Sequence, residues 1–296
     1  MGRQTNKGKN RDGMTTRTVS QITDATNERV GPFKIKNVLP TRTLRQIDPF
    51  LLIHHMQPYT VTPGDDLRIP PHPHAGFEVV TYLLEGEFFH RDSKGFDQVA
   101  RGGDINWMTS GSGIVHSEGP TQNFLQEGGT AELLQVWINL PSSKKTLPAT
   151  FFHYAAGKLP VIKKGDVSVK VLIGSFENVT SPITTHTAMF WYHIYSKAGA
   201  IFSIPVNESH SSGIYLLNGE LNILNQTVTA GQLTDFEMNG DQLVITTTQD
   251  SSFIVFGGKP LKEKVVSYGP FVMNSTEEIQ QAIKNYEEGK MGQLES

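Results

Sequence analysis

The segment Tyr82-Leu-Leu-Glu-Gly-Glu87 returns later in the chain as Tyr215-Leu-Leu-Asn-Gly-Glu220. In both copies an apolar run enters a tight turn with Glu-Gly or Asn-Gly at its tip, which is hairpin chemistry. Downstream of each, in the same order, stand Gly102-Gly103-Asp104 and Ala230-Gly231-Gln232. Two ordered matches, one per half, predict two copies of one β-domain.

The surrounding pattern agrees. Short β-branched and aromatic runs cover residues 77–84, 133–140, 168–173, 190–195, 214–217, 243–247 and 253–256, with Gly, Asp, Asn and Pro between them. Many short strands at this spacing predict an all-β fold of antiparallel barrels or sandwiches. One helix is expected. Ser275-Thr-Glu-Glu278 fits a capping box, Ile279, Ala282, Ile283 and Tyr286 then share a face, and Gly289 offers a stop. The proline-bracketed stretch 140–148 is the linker candidate. Residues 1–30 are expected to be a basic, disordered tail, whose first 17 residues set Arg3, Lys7, Lys9, Arg11 and Arg17 against Asp12. Residues 31–148 and 149–296 are then the two β-domains, the second carrying the C-terminal helix.

Composition narrows the chemistry. The 296 residues include no cysteine, so disulfides, thiolate metal sites and a cysteine nucleophile are excluded. A bound metal needs nitrogen and oxygen ligands, and ten histidines are on hand. A formal net charge of −3 gives no reason to expect direct nucleic-acid or membrane partners. The N-terminus lacks the apolar core of a secretory signal, which suits a cytoplasmic protein, or a nuclear one in a eukaryote.

The chemistry concentrates in the first half. His72 and His74 are two apart in Pro71-His-Pro-His-Ala-Gly-Phe-Glu78, so in a strand they share a face. His116 and Glu118 repeat that spacing about forty residues on. Two strands can thus aim three imidazoles and a carboxylate at one point. Such a set suits Fe(II), and also Mn, Ni, Cu or Zn. Structural zinc usually takes thiolates, which disfavours a closed zinc site. Glu78 has the same parity as His72 and His74, so spacing alone leaves it and Glu118 as equal contenders for the carboxylate ligand. It also fits an acceptor that orients a ligand ring. Phe77, Trp107 and Met108 are candidate pocket walls. Trp107 and Met108 alternate in face, so at most one lines the cavity.

His72-x-His74-x-x-x-Glu78 with Gly86 resembles the first cupin motif, and Gly111-x-Gly113-x-x-His116 the second, with Gly111 where many cupins have proline. The wider text resembles the pirin family. It includes Asp48-Pro-Phe-Leu-Leu52, Gly103-Asp-Ile-Asn-Trp-Met108, Gly113-Ile-Val-His-Ser-Glu118, Trp137-Ile-Asn-Leu-Pro141 and Gly269-Pro-Phe-Val-Met-Asn274. The resemblance spans roughly residues 31–292. It implies a bicupin of two tandem antiparallel β-barrels, with one divalent metal ion, Fe(II) foremost, in the N-terminal barrel. By motif position it implies His72, His74, His116 and Glu118 as ligands. Ser117 stands where alanine is common in the family, and by parity it faces outward.

Carrying the Tyr-Leu-Leu register into the second half puts Pro205 and Asn207 at the positions of His72 and His74, and Ser211 at Glu78. The second barrel is therefore expected to be degenerate and metal-free. His54, His55, His90, His153, His186, His193 and His210 read as structural, with His54 and His55 near a pocket rim. The resemblance further implies a dioxygenase that opens flavonols such as quercetin, acting on a small aromatic or enolic substrate with dioxygen and using Glu118 as base. Its alternative implication is an iron-dependent redox-sensing regulator that binds a transcription factor or a metabolic enzyme.

Overall fold

A computed structural model describes residues 13–295. Residues 1–12 of the expected basic tail lie outside those residues. The chain divides into two compact units. One comprises residues 26–159 and 261–296, the other the residues up to 25 together with 160–260.

The first unit pairs a seven-stranded with a four-stranded sheet. The larger runs Thr150–Tyr154, Ile105–Thr109, Phe77–Glu85, Gly129–Asn139, Phe50–Val61, Phe33–Leu39 and Thr26–Val30 in spatial order. The smaller runs Ile69–His74, Ile114–Pro120, Glu87–Asp92 and Asp97–Arg101. Phe33, Ile35, Met56 and Leu83 from the larger sheet meet Phe88 and Ala100 from the smaller in one buried core. Burying each large apolar side chain there contributes roughly 1.5–3 kcal/mol. The expected barrel is thus cupin-like but built of two separate sheets.

The second unit repeats this plan with a seven-stranded and a four-stranded sheet around its own core, which includes Ile204, Leu243, Ile245 and Phe253. Every apolar run expected to be a strand falls within one of the observed strands, except that 133–140 ends one residue past Gly129–Asn139. Among the described residues no helix is long and apolar enough to cross a membrane.

The observed division departs from the expected boundaries at both ends. Within the supposed tail, Val19–Asp24 pairs antiparallel with Gln232–Phe236, and Thr26–Val30 with Phe33–Leu39. Arg17 is fully buried. Its guanidinium donates to the carbonyls of Gly240, His210 and Asn207 at 2.7–2.9 Å and to the Ser212 hydroxyl at 3.0 Å. Those acceptors compensate the loss of water around a buried cation.

At the other end, the helix Thr276–Glu287 has the expected capping box, with Glu278 N donating to Ser275 Oγ. It belongs to the first unit, where Ile279 and Ala282 pack with Ala75, Val115 and Met291. Tyr286, expected on the packed face, is 41 % exposed. The linker candidate is also anchored, since Leu140 and Lys145 are both buried.

The repeat register needs correction too. In the second unit Ile201–Pro205 pairs with Gln242–Thr247, as Ile69–His74 pairs with Ile114–Pro120. The buried face holds Ile204 opposite Leu243 and Phe202 opposite Ile245. These four stand where the first unit has His74, Ile114, His72 and His116. Pro205 and Asn207 miss those places because the next connection covers 206–212, against 75–76 in the first unit.

Candidate metal centre

His72 and His74 share one face of Ile69–His74. The neighbouring strand sets His116 directly across from His72 and Ile114 across from His74. One ring nitrogen from each of His72, His74 and His116 lies within 4.8 Å of the others. Ring centroids are 4.3 Å apart for His72 and His116, and 5.0 Å for His74 and His116. His74 and His116 are buried, His72 half-buried.

The unpaired atoms carry the chemistry. His116 Nε2 and His74 Nδ1 are buried without a hydrogen-bond partner. His72 Nδ1 faces the Pro70 carbonyl at 2.9 Å, which leaves its Nε2 as the bare nitrogen. Burial, and then the nearby His72, push the His74 pKa down to about 3 against an opposing pull from the Pro270 carbonyl. Burial, followed by the neighbouring histidines, holds His116 well below the usual range. Both rings are therefore neutral near pH 7, the form that ligates a metal. Two buried imidazoles with orphaned nitrogens, joined by the half-buried His72, fit a divalent cation.

Two glycines set the entries to these strands. Gly76 has φ +89°, and a Cβ there would lie 2.0 Å from the Val272 carbonyl oxygen. Gly111 has φ +47°, with a Cβ position 2.1 Å from the Leu147 carbonyl oxygen. Proline, locked near φ −65°, cannot occupy that backbone, which accounts for glycine at this point of the motif. Lys145 ties the turn together. Its Nζ donates to Asn139 Oδ1 at 2.6 Å, Gly76 O at 2.7 Å and Val272 O at 3.1 Å. Burial lowers this amine's pKa to about 8.

Glu118 lies two residues past His116, beyond a register shift in the ladder. Its carboxylate stands outside the three-histidine cluster. Gln135 Nε2 donates to Glu118 Oε1 at 2.6 Å. Both line a cavity of about 40 Å³ whose other walls include Phe33, Ile35, Met56 and Phe88. His54 lines it as well, and burial lowers the His54 pKa. Ser117 donates to the Ile69 carbonyl at 2.7 Å.

Glu78 does not join the histidines. The chain turns at residues 75–76, so the parity carried across from His74 is lost. Glu78 Oε1 instead accepts from Trp107 Nε1 at 2.9 Å and Thr109 Oγ1 at 2.8 Å. Burial raises its pKa to about 7. Phe77 does face the site, with its ring 5.2 Å from His74 and 4.3 Å from Trp137. Met108 packs in the same cluster as Phe77, while Trp107 turns to Glu78.

Several contributors escape sequence reasoning. Trp137 Nε1 is buried and unpaired beside His74, with ring centroids 5.3 Å apart. Gln135 reaches the cavity with no spacing signal of its own, whereas His54, expected near a pocket rim, does line it. His90, read as structural, approaches His116, with Nδ1 to Nδ1 at 3.4 Å. Its only signal is the two-residue spacing to Asp92. His55, His153 and His193 bond to Glu132, Asn106 and Ser252 respectively.

The profile described as Pirin matches residues 32–138, and that of the Pirin C-terminal cupin domain matches 191–292. A Pseudomonas aeruginosa protein named "Putative quercetin 2,3-dioxygenase" is 34% identical over 262 residues, covering 87% of this chain and 92% of its own length. A tomato (Solanum lycopersicum) pirin-like protein is 35% identical, covering 84% of each chain. A crystal structure of quercetin 2,3-dioxygenase from Acinetobacter baumannii superposes with TM-score 0.90 at 28% identity, covering 95% of this chain and all of that one. With both profiles matched in order over most of the sequence, this chain belongs to the pirin family.

Proposed function

We propose that this protein is a mononuclear metal-dependent dioxygenase that opens flavonols such as quercetin. The observation that carries the reading is the convergence of His72, His74 and His116, two of them buried, with Glu118 two residues beyond His116 lining a cavity. The three histidines hold the ion, Fe(II) by preference, and Glu118 is the fourth ligand or the base. The ion, when bound, supplies Lewis acidity that lowers the pKa of an enolic hydroxyl and the redox capacity for reaction with dioxygen. Relatives named for quercetin dioxygenation support the substrate class.

The chain's own residues supply the rest. Glu118 takes the proton of the 3-hydroxyl. Gln135 fixes the carboxylate by holding one of its oxygens. Trp137 Nε1 offers a donor beside His74 for a ligand oxygen. Phe33, Met56 and Phe88 form an apolar wall that excludes water. A drug-sized ligand needs roughly 300 Å³ or more, so a flavonol must push the cavity walls outward from their present 40 Å³.

The test begins with protein purified without added metal and metals counted by mass spectrometry. Fe(II) is then loaded anaerobically, and quercetin and oxygen are added. Ring opening places both atoms of dioxygen in the product and expels carbon monoxide. Iron-dependent flavonol loss with carbon monoxide release, absent in His74→Ala, is the expected result. One iron per chain with no loss of quercetin would overturn the substrate, and no bound metal would overturn the site.

A further inference from the structure

Behind His116 lies a line of groups that metal ligation leaves unexplained. His90 is 4 % exposed on Glu87–Asp92, beside the strand that carries His116. Its Nδ1 is 3.4 Å from His116 Nδ1, and its Nε2 is 2.9 Å from Asp92 Oδ2. The Asp92 side chain is wholly buried. Its other oxygen, Oδ1, accepts from the backbone nitrogens of Lys94 at 2.9 Å and Phe96 at 3.3 Å. The His90 ring stacks on Phe151 at 4.1 Å with an interplanar angle of 11°.

The direction of each bond follows from the two ends of the line. A carboxylate only accepts, so His90 Nε2 carries the hydrogen. At the other end His116 Nε2 is buried without a partner, so the hydrogen of that ring sits on Nδ1, which faces His90 Nδ1. His116 Nδ1 must donate to it, and the neutral His116 ring is left with a bare Nε2.

We propose that His90 and Asp92 are positioning residues that fix the tautomer and ring orientation of His116, so that its Nε2 lone pair is presented to the metal. The inference rests on the metal-site reading above. A ring nitrogen opposite the metal commonly donates to a carboxylate or carbonyl; here the carboxylate acts through an intervening imidazole. His72 uses the shorter form, through the Pro70 carbonyl.

Asp92→Asn tests the relay with almost no change of shape. The amide oxygen keeps the backbone donors of Lys94 and Phe96, so the amide nitrogen faces His90 Nε2. His90 must then accept there and donate from Nδ1. That reverses the line and puts a hydrogen on His116 Nε2. Long-range 15N–1H spectra of the metal-free protein read this directly. The wild type should show His116 protonated at Nδ1, and Asp92→Asn should show it at Nε2. Co(II) affinity should fall about 10–100-fold in Asp92→Asn.

His90→Phe keeps an aromatic ring against Phe151 and cuts the line. The double variant should bind Co(II) no more weakly than His90→Phe alone, because the reversed signal has no route. Losses that add in the double variant would show Asp92 acting through its own loop and would overturn the proposal. So would a wild-type His116 protonated at Nε2. If the wild type binds no Co(II), the metal-site reading fails separately, and the tautomer spectra alone decide whether the relay exists.

Discussion

Gln135 Nε2 donates to Glu118 Oε1 at 2.6 Å, so the carboxylate is held beside the cavity by a strand of the other sheet rather than by the histidine cluster. Glu118→Gln keeps the shape and loses the charge. We expect it to retain metal within about tenfold while quercetin turnover falls roughly 10²–10⁴-fold, the usual range for losing a general base. Metal content by mass spectrometry and oxygen consumption on the same sample separate the two effects. Equal fractional losses of metal and turnover would reduce Glu118 to a ligand.

Metal should stabilise the folded state, because it binds the native cluster and relieves its orphaned nitrogens. At a thousandfold excess over its dissociation constant the gain is about 4 kcal/mol. Fe(II) or Co(II) should therefore raise the melting temperature of the wild type, and a chelator should reverse the shift. His74→Ala should melt at one temperature under all three conditions.

Glu78 gives a stability profile with a defined sign. Its folded pKa is raised to about 7 from 4.5 by burial. The neutral carboxyl's contribution is present below pH 4.5 and lost as pH rises through about 7, up to roughly 3 kcal/mol. Glu78→Gln retains a carbonyl to accept from Trp107 and Thr109. Denaturant titrations should find it more stable than wild type at pH 8 and close to wild type at pH 5. No gain at pH 8 would mean that the donors already hold the ionised form.

Lys145 is the tie most sensitive to deletion. Lys145→Ala removes the shared donor from Gly76 O, Val272 O and Asn139 Oδ1. We expect a loss of roughly 2–4 kcal/mol, measured by urea unfolding. Weaker Co(II) binding should accompany it, because Gly76 sets where His74 ends its strand.

Much of the site was legible because spacing two is preserved within a single strand. His72 with His74 needed only that rule, whereas Glu118, at the same spacing from His116, stands outside the cluster. Glu78 misled for the same reason: the turn at 75–76 breaks the alternation, and parity does not survive it. Met108 and Trp107 came out on opposite faces as alternation requires. The second-half register slipped at 206–212, where loop length varies and no periodicity constrains the count. The expected tail failed differently. Its composition is polar, but Arg17 finds four acceptors and Val19–Asp24 finds a sheet edge, neither visible without the partners far along the sequence.

The placement of residues 261–296 with the histidine-bearing unit bears on how the protein is made. During synthesis the three histidines leave the ribosome early. Val272, whose carbonyl meets the Gly76 turn and Lys145, is added only near the end of the chain. A nascent chain halted at the middle would thus carry all three histidines and still lack the segment that packs against Ala75 and Val115. On the metal-site reading proposed above, loading would therefore wait for the last segment of the chain to be made.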